Sequence, residues 1–243
     1  MAEVPDDLAR LWRLPMGAKL GRPAALDVNR VVDVAVELAD RDGLAGATLP
    51  KIAAALEVTP MSLYRHIGSK DELMVLMGDA AFGPPPETLA AVADWRSALR
   101  GWAEAQVAVY RRHPWITELP ISGPPRGPHA MAWMDAGLRA LRGTALDWPA
   151  KIGVITVVGG YVRQAFITAR QLEQARSAVD LDEAGALRAY SGALVDLVDP
   201  QRFPDAAALF ASGVFTAPEI AADPDEDFAF GLELVLDGVA AAQ

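Results

Sequence analysis

Residues 48–73 read TLPKIAAALEVTPMSLYRHIGSKDEL, and this stretch decides the fold of the front of the chain. Thr48 and Thr59 are residue types that cap helices, and each precedes a short segment with apolar residues at helical spacing. Pro60 takes a first helical position, where its missing N–H costs nothing, and residues 69–72 form a capping box for a further helix. The stretch therefore predicts three helices in close succession, joined by turns of a few residues.

One more helix precedes this stretch, and a turn follows it. Asp27 is a capping residue, Gly43 suits a helix end, and the residues between them place one apolar stripe on a helix. The stripe consists of Val28, Val31, Val32, Ala35, Leu38 and Ala39. Gly83 and the three prolines after it predict a turn or linker. Elsewhere apolar spacing of three and four dominates, without a convincing run of alternating strands, so the predicted fold class is all-α.

The helix that starts at Pro60 has two different faces. Leu63 and Ile67 point into a three-helix core. The opposite face carries Met61 and Arg65, with Ser62 and Tyr64 on its flanks. Two short helices joined by a tight turn, the second narrow enough for the major groove, form the helix-turn-helix arrangement. A small helical bundle with an ordinary solvated face is the alternative, and the capped short helix, the tyrosine and the local basic charge favour DNA reading.

Charge is distributed unevenly along the chain. The net charge of −10 over 243 residues opposes binding to phosphate at first sight. Residues 8–30, however, contain five basic residues against one acid, and residues 58–70 contain no acid. Residues 81–243 contain 13 basic and 20 acidic side chains and so account for most of the negative charge. The positive charge lies at the front, where a DNA-reading module can use it.

Several chemistries are excluded by what the sequence lacks. With no cysteine and three histidines it offers no thiol nucleophile and little material for a metal centre. It has no nucleophile elbow, Walker loop or dinucleotide fingerprint, so we expect no enzyme, metal or cofactor. The longest nearly unbroken apolar run, residues 152–162, is half the length of a membrane-spanning helix, and no signal peptide is visible. We expect a cytoplasmic protein without a membrane partner.

The residues quoted above resemble the DNA-binding domain of the tetracycline-repressor (TetR) family. The most specific part is Leu-Tyr-x-His at residues 63–66, followed four residues later by Lys70. The close resemblance covers roughly residues 20–82, and the remainder is more weakly similar to the family's effector domain. Glu57 departs from the pattern, because the family usually has glycine at this left-handed turn position, where another residue costs about 1 kcal/mol.

The resemblance implies one set of residues that holds the DNA backbone. Thr48 and Thr59 stand at helix starts, where hydroxyl and backbone N–H groups can meet phosphate. Tyr64 and His66 resemble the family's phosphate-contacting pair. Lys70 adds a cation at the start of the next helix.

A second set is implied to read sequence or to enter the minor groove. Met61, Ser62 and Arg65 face base edges, since arginine can bond guanine bidentately and methionine can contact a thymine methyl group. Lys19 and Arg22 form a basic arm similar to those that reach the minor groove. A disordered tail that only raises the local positive potential is the alternative for this arm.

We divide the chain into an N-terminal extension (1–19), the helix-turn-helix domain (20–82) and a larger helical effector and dimerisation domain (83–243). Bulky and polar side chains at helical spacing in the last domain are candidates for binding a small apolar or aromatic effector. These candidates are Trp102, Gln106, Tyr110, Trp133, Met134, Tyr161, Arg163 and Gln164. Ordinary core packing and satisfied core hydrogen bonds are the alternative.

Homodimerisation is predicted from DNA geometry, because one short helix reads too few base pairs and two half-sites double the specificity. The last helix supplies an apolar stripe for this purpose: Phe228, Leu232, Val235, Leu236 and Val239. A helix over 152–168, apolar nearly all round, must be covered on both sides and could join it in a four-helix interface.

These features predict a ligand-responsive transcriptional regulator. By resemblance it is a repressor that binds a palindromic operator as a dimer and is released by a small effector. A transcriptional activator, or a helical regulator that acts through protein contacts without a small-molecule effector, are the alternatives.

Overall fold

A computed structural model describes residues 4–15, 27–121, 123–216 and 224–243, and every regular element within them is helical. The helices are α1 (Asp6–Leu11), α2 (Val28–Asp42), α3 (Leu49–Ala55), α4 (Pro60–Ile67), α5 (Lys70–Phe82), α6 (Trp95–Arg112), α7 (Pro128–Ala140), α8 (Trp148–Ala178), α9 (Glu183–Leu194), α10 (Pro204–Ala211) and α11 (Pro224–Ala241). The chain forms two compact units, one of residues 1–163 with 239–243 and one of residues 164–238. The predicted all-α class is confirmed.

Helices α2, α3 and α4 form the predicted three-helix module. Its core contains side chains with no exposed surface: Val31, Val32, Ile52, Leu63 and Ile67. Asp27 caps α2 by accepting the N–H of Arg30 at 2.9 Å, and Gly43 ends the helix at a φ of 73°. The apolar stripe and the capping residues therefore predicted the positions of α2, α3 and α4 correctly.

The turn between α3 and α4 holds the departure from the family pattern. Glu57 has a φ of 56°, in the left-handed region, at the turn position where the family that the sequence resembles usually has glycine. Its side chain is exposed, so no packing contact offsets the unfavourable backbone conformation.

Replacing Glu57 by glycine is expected to raise the free energy of unfolding by up to about 1 kcal/mol, because glycine adopts a positive φ without strain. Urea unfolding followed by circular dichroism measures the change. Ala54→Gly, in the exposed face of α3, is the matched control and should lower stability by roughly 0.5–1 kcal/mol. A loss of stability in both variants would contradict the assigned strain.

Helix α5 starts with only half of the predicted capping box. Ser69 Oγ accepts the N–H of Glu72 at 3.0 Å, as expected. The Glu72 carboxylate does not return to the Ser69 N–H, which donates to the Ile67 carbonyl at 2.8 Å. Glu72 instead pairs with Arg10. The Glu72 carboxylate of the capping box thus forms an ion pair with a residue 62 positions earlier in the sequence.

Helix α8 is longer than the apolar run at 152–162 suggested, and a single chain does not cover it on both sides. In its first half Val158 and Val162 are buried, whereas Ile152 and Val157 are 52% and 57% exposed. By length and composition alone α8 could cross a bilayer, a criterion that helices of soluble proteins also meet. Within this chain the side of α8 that carries Ile152 and Val157 is uncovered, so the predicted cover on that side stays a prediction.

Helix α11 is oriented differently from the prediction. Leu232, Leu236 and Val239 of the predicted dimer stripe are buried within the single chain. The exposed apolar side chains are Phe230 and Leu234, at 69% and 59% exposure. The buried part of the stripe thus serves the chain's own packing, and a different face of α11 carries the exposed apolar side chains.

Candidate DNA-reading face and effector cavity

Helix α4 presents the side chains that were predicted to meet DNA. Met61 is 74% exposed, Tyr64 is 42% exposed and Arg65 is exposed beside them. Ser62 and His66 are half-buried on the flanks of this face. Ser62 Oγ donates to the Thr59 carbonyl at 2.6 Å, so its hydroxyl proton is already used. At a base edge Ser62 can therefore serve as an acceptor more readily than as a donor.

The two threonines that were predicted to meet phosphate lie at exposed helix starts. Thr48 and Thr59 have the extended backbone of capping residues, yet neither side chain accepts a capping hydrogen bond. Both are exposed, as is Lys70 in the first turn of α5. Backbone N–H groups at such a helix start attract anions.

Part of the basic charge at the front is used inside the protein. Arg10 Nη2 lies 2.6 Å from Glu72 Oε2, and Arg13 Nε donates to Asn29 Oδ1 at 2.6 Å. These two arginines were counted toward the positive segment, but their contacts hold α1 against α2 and α5. The predicted arm residues Lys19 and Arg22 lie outside the described residues.

A cavity of about 920 Å³ opens among α1, α5, α6, α7 and the first half of α8. Six of the eight predicted ligand residues line it: Trp102, Gln106, Tyr110, Trp133, Met134 and Arg163. Tyr161 and Gln164 are not among its lining residues, and the Gln164 amide donates to Thr168 Oγ1 at 3.2 Å. Their predicted part in ligand binding has no support from this placement.

Aromatic rings form one wall of the cavity. Phe82 packs edge-on against Tyr110 and Trp133, with ring centroids 5.7 and 5.2 Å apart. Trp102 Nε1 donates to the Trp133 carbonyl and Trp133 Nε1 to the Gly83 carbonyl, each at 2.9 Å. Because both indole N–H groups are satisfied by backbone, the rings are fixed in position and present apolar surface to a ligand.

A few polar groups accompany these rings. Gln106 is buried, and its amide donates to the Trp102 carbonyl at 3.3 Å. Burial raises the pKa of the Tyr110 hydroxyl, and the charge of Arg163 opposes this shift only in part. Tyr110 is therefore a neutral hydroxyl at physiological pH. Arg163 donates to the Thr117 carbonyl, which fixes its guanidinium at the cavity wall.

The sequence interpretation missed three parts of the lining. Helix α5 contributes Met74, Val75 and Phe82, residues before α7 contribute Ile121 and Arg126, and α1 contributes Asp7 and Leu11. For α5 a signal was present: five consecutive apolar residues, 73–77, give a helix two buried faces. For the other two parts, local sequence patterns hold no comparable signal.

Two joints connect the helix-turn-helix module to the helices behind it. Asp79 on α5 accepts the N–H of Ala130 at 3.0 Å and so caps α7, while its carbonyl lies 2.8 Å from His129 Nδ1. Asp40 on α2 accepts Trp115 Nε1 at 2.6 Å and lies 2.7 Å from His113 Nδ1. These contacts join α5 to the start of α7 and α2 to the segment that follows α6.

Comparison with known proteins agrees with this arrangement of a helix-turn-helix beside an effector cavity. Residues 31–77 match "Bacterial regulatory proteins, tetR family", and residues 89–243 match "Tetracyclin repressor-like, C-terminal domain". The HTH-type transcriptional repressor DrrR1 of Streptomyces coeruleorubidus is 35% identical over 240 residues, which cover 98% of this chain and 86% of that protein.

Solved structures share the fold. The TetR family protein ActR of Streptomyces coelicolor, in complex with (S)-DNPA, has a TM-score of 0.68 at 24% identity, covering 90% of this chain and 100% of that one. Its complex with actinorhodin has a TM-score of 0.69 at 22% identity, covering 89% of this chain and 98% of that one.

The fold and the two sites define a helix-turn-helix transcriptional regulator that responds to a ligand. The chain belongs to the TetR family. It is a ligand-responsive transcriptional repressor, and regulators of this family bind DNA operators and small-molecule effectors and are dimers.

Proposed function

We propose that this protein represses transcription as a homodimer on a near-palindromic operator, and that a flat, mainly apolar aromatic molecule in the cavity releases it. The supporting observation is the path of α5. This helix starts at Lys70, beside the reading helix α4, and its residues 74, 75, 78, 79 and 82 line the cavity. A ligand that displaces α5 therefore moves the reading helix as well.

The ligand class follows from the walls of the cavity. Rings of Phe82, Trp102 and Trp133 offer apolar faces and edges, which favour a flat aromatic ligand. Tyr110 and Arg163 supply a neutral hydroxyl and a cation, which suit hydroxyl, carbonyl or acidic substituents. ActR, which shares this fold, is known in complexes with (S)-DNPA and with actinorhodin, and this supports a small-molecule ligand for the present protein.

Homodimerisation accounts for apolar surface that a single chain leaves open. Ile152 and Val157 on α8 are more than half exposed, and Ile152 also borders the cavity. A second copy on this face removes apolar area from water, which a soluble regulator requires. We place the protein in the cytoplasm, acting by binding without catalysis.

Base reading is assigned to α4, with Arg65 as its main donor. Arg65→Ala should weaken operator binding by about 1–3 kcal/mol per half-site and relax the base preference at one position in each half-site. Selection from random DNA, followed by fluorescence anisotropy on the selected site and on scrambled DNA, measures both effects. An equal loss on the two DNAs would assign Arg65 to phosphate contact instead.

The proposed function is tested by linkage between ligand and operator. With 1,8-dihydroxyanthraquinone as the probe, operator DNA must weaken probe binding by the same factor by which the probe weakens operator binding. A tenfold effect corresponds to about 1.4 kcal/mol. Calorimetry on the dimer, with and without operator, measures the factor, and probe binding that is indifferent to operator would refute the effector assignment.

A cavity-filling variant gives an independent arm of this test. A β-carbon on Gly159 would stand 3.8 Å from the side chains of Trp102 and Gln106, so Gly159→Leu should occupy the part of the cavity beside these two side chains without displacing backbone. This variant is expected to keep operator binding and to lose probe binding and release. Gly192→Leu is the control, since its helical β-carbon would meet no atom within 4 Å. Unchanged probe binding in Gly159→Leu would exclude the part of the cavity beside Trp102 and Gln106 as the probe's binding site.

A further inference from the structure

The N-terminal helix α1 lies upstream of both family matches, the first of which begins at residue 31. It nevertheless forms part of the cavity wall. Asp7 and Leu11 both line the cavity, and Leu11 is buried. The proposed effector site therefore includes a segment from upstream of the helix-turn-helix module. How α1 is held in place decides what it does there.

On one side α1 is tied firmly to the helix-turn-helix module. Arg10 donates from Nε and Nη2 to Glu72 Oε2 at 2.9 and 2.6 Å, and the two side chains are only 15% and 29% exposed. Gly68 packs so closely on this pair that a β-carbon there would lie 2.5 Å from the Glu72 carboxylate. Arg13 adds a bond to Asn29 at 2.6 Å. Charge-assisted bonds with little solvent access are strong.

On the other side, the hydrogen bonds that join α1 and Trp12 to the segment before α7 within the described residues are exposed and involve Arg126. Its guanidinium donates to the Asp7 carboxylate, and its carbonyl accepts Trp12 Nε1 at 2.8 Å. The three side chains are between 36% and 48% exposed. Because solvent-exposed ion pairs contribute little, this contact breaks more easily than the one to Glu72.

The cavity reaches the surface beside this weaker contact. Ile121 lines the cavity although it is 80% exposed, and Val75 on α5 is 37% exposed. A second exposed part of the lining, Ile152 on α8, lies on the face that we assign to the second copy. In the dimer the mouth beside α1 is then the one that remains open to solvent.

We propose that α1 is the closing wall of the effector cavity, latched by Asp7 and Trp12 to Arg126, and that ligands enter and leave by parting this latch. Helix α1 stays with the helix-turn-helix module when the latch opens, since its ion pair with Glu72 is less exposed than its contacts with Arg126. The class of ligand is taken from the proposed function. The opening of the latch between α1 and Arg126 does not depend on that function. It gives the N-terminal extension a role in ligand residence time.

The absence of cysteine makes the opening measurable without a ligand. Met134→Cys introduces a single thiol into the cavity wall, and its reaction with 5,5′-dithiobis(2-nitrobenzoate) reports access. Combining it with Asp7→Asn and Trp12→Phe should accelerate the reaction about tenfold, through loss of an exposed ion pair and a hydrogen bond. Gly143→Cys, at an exposed position with no atom near its β-carbon, gives the rate of an open thiol.

Two controls distinguish a latch from general loosening. Asp42→Asn removes another exposed ion pair, that with Arg41, and should leave the Met134→Cys rate unchanged. Reversing the latch with Asp7→Arg and Arg126→Asp should return the rate to within about threefold of the original, because the pair is restored. An equal cavity-thiol rate with and without the latch would overturn the proposal. So would a cavity thiol that reacts as fast as Gly143→Cys in the unaltered background.

A ligand arm separates this inference from the proposed function. Stopped-flow measurement of 1,8-dihydroxyanthraquinone release should show faster dissociation in Asp7→Asn than in Asp42→Asn. If the probe binds no variant, the proposed ligand class fails while the thiol rates still decide whether α1 is the gate. If the probe dissociates equally fast from both variants, α1 does not control ligand passage.

Discussion

Raising the salt concentration from 50 to 200 mM is expected to weaken operator binding by about a thousandfold. The dimer offers roughly six cations to phosphate, three from each copy, and each neutralised phosphate releases counterions. The cations are Lys70 and the predicted arm residues Lys19 and Arg22. Anisotropy titrations at several salt concentrations give the slope of log affinity against log salt, and an affinity independent of salt would refute this electrostatic account.

Lys70→Ala should reduce that slope by about two, one for each half-site, and should weaken specific and scrambled DNA alike. Its exposed position in the first turn of α5 makes it a phosphate contact without base information. Lys151→Ala, on α8, is the control and should leave the slope unchanged. A Lys70 variant that lost affinity only for the selected operator would place this lysine at a base edge.

The second large effect is expected from the two faces of α4. Leu63 has no exposed surface, so Leu63→Ala should lower the free energy of unfolding by about 2–5 kcal/mol through lost burial and a residual cavity. Met61 lies two residues earlier, about 200° around the helix and so on the opposite face, and it is 74% exposed. Met61→Ala should change stability by less than about 0.5 kcal/mol and act on operator affinity instead.

Urea unfolding followed by circular dichroism measures the first effect, and anisotropy on the selected operator measures the second. The two variants control for each other, because both shorten an apolar side chain on the same helix. A larger loss of stability from Met61→Ala than from Leu63→Ala would mean that the core lies on the other face of α4.

Local sequence signals predicted the helix-turn-helix module nearly residue by residue. Asp27, Thr48, Thr59 and Ser69 all stand at the helix starts for which their side chains are suited. The left-handed conformation of Glu57, by contrast, was expected only from the family resemblance, because glutamate gives no local signal for it. Such signals act over three or four residues, so the sequence within one turn of helix contains them completely.

The aromatic side chains of the second domain carried a weaker signal. Periodicity put Trp102, Gln106 and Tyr110 on one face of a helix, which describes a core and a cavity wall equally well. Whether such a face is filled depends on the distance between helices far apart in the chain. That distance is set by contacts such as the one between Asp79 on α5 and the start of α7, which no local sequence pattern predicts.

The sequence by itself determined the all-α class, the helix-turn-helix module and the outward face of α4, because caps and 3.6-residue periodicity are local properties. Only the tertiary structure shows that Glu72 pairs with Arg10 outside its capping box, that most of the α11 stripe is buried within the chain, and that α1 lines a cavity. In each case a residue could interact either with a sequence neighbour or with a residue brought near by folding. Which interaction forms depends on burial and distance in three dimensions, which a linear pattern does not encode.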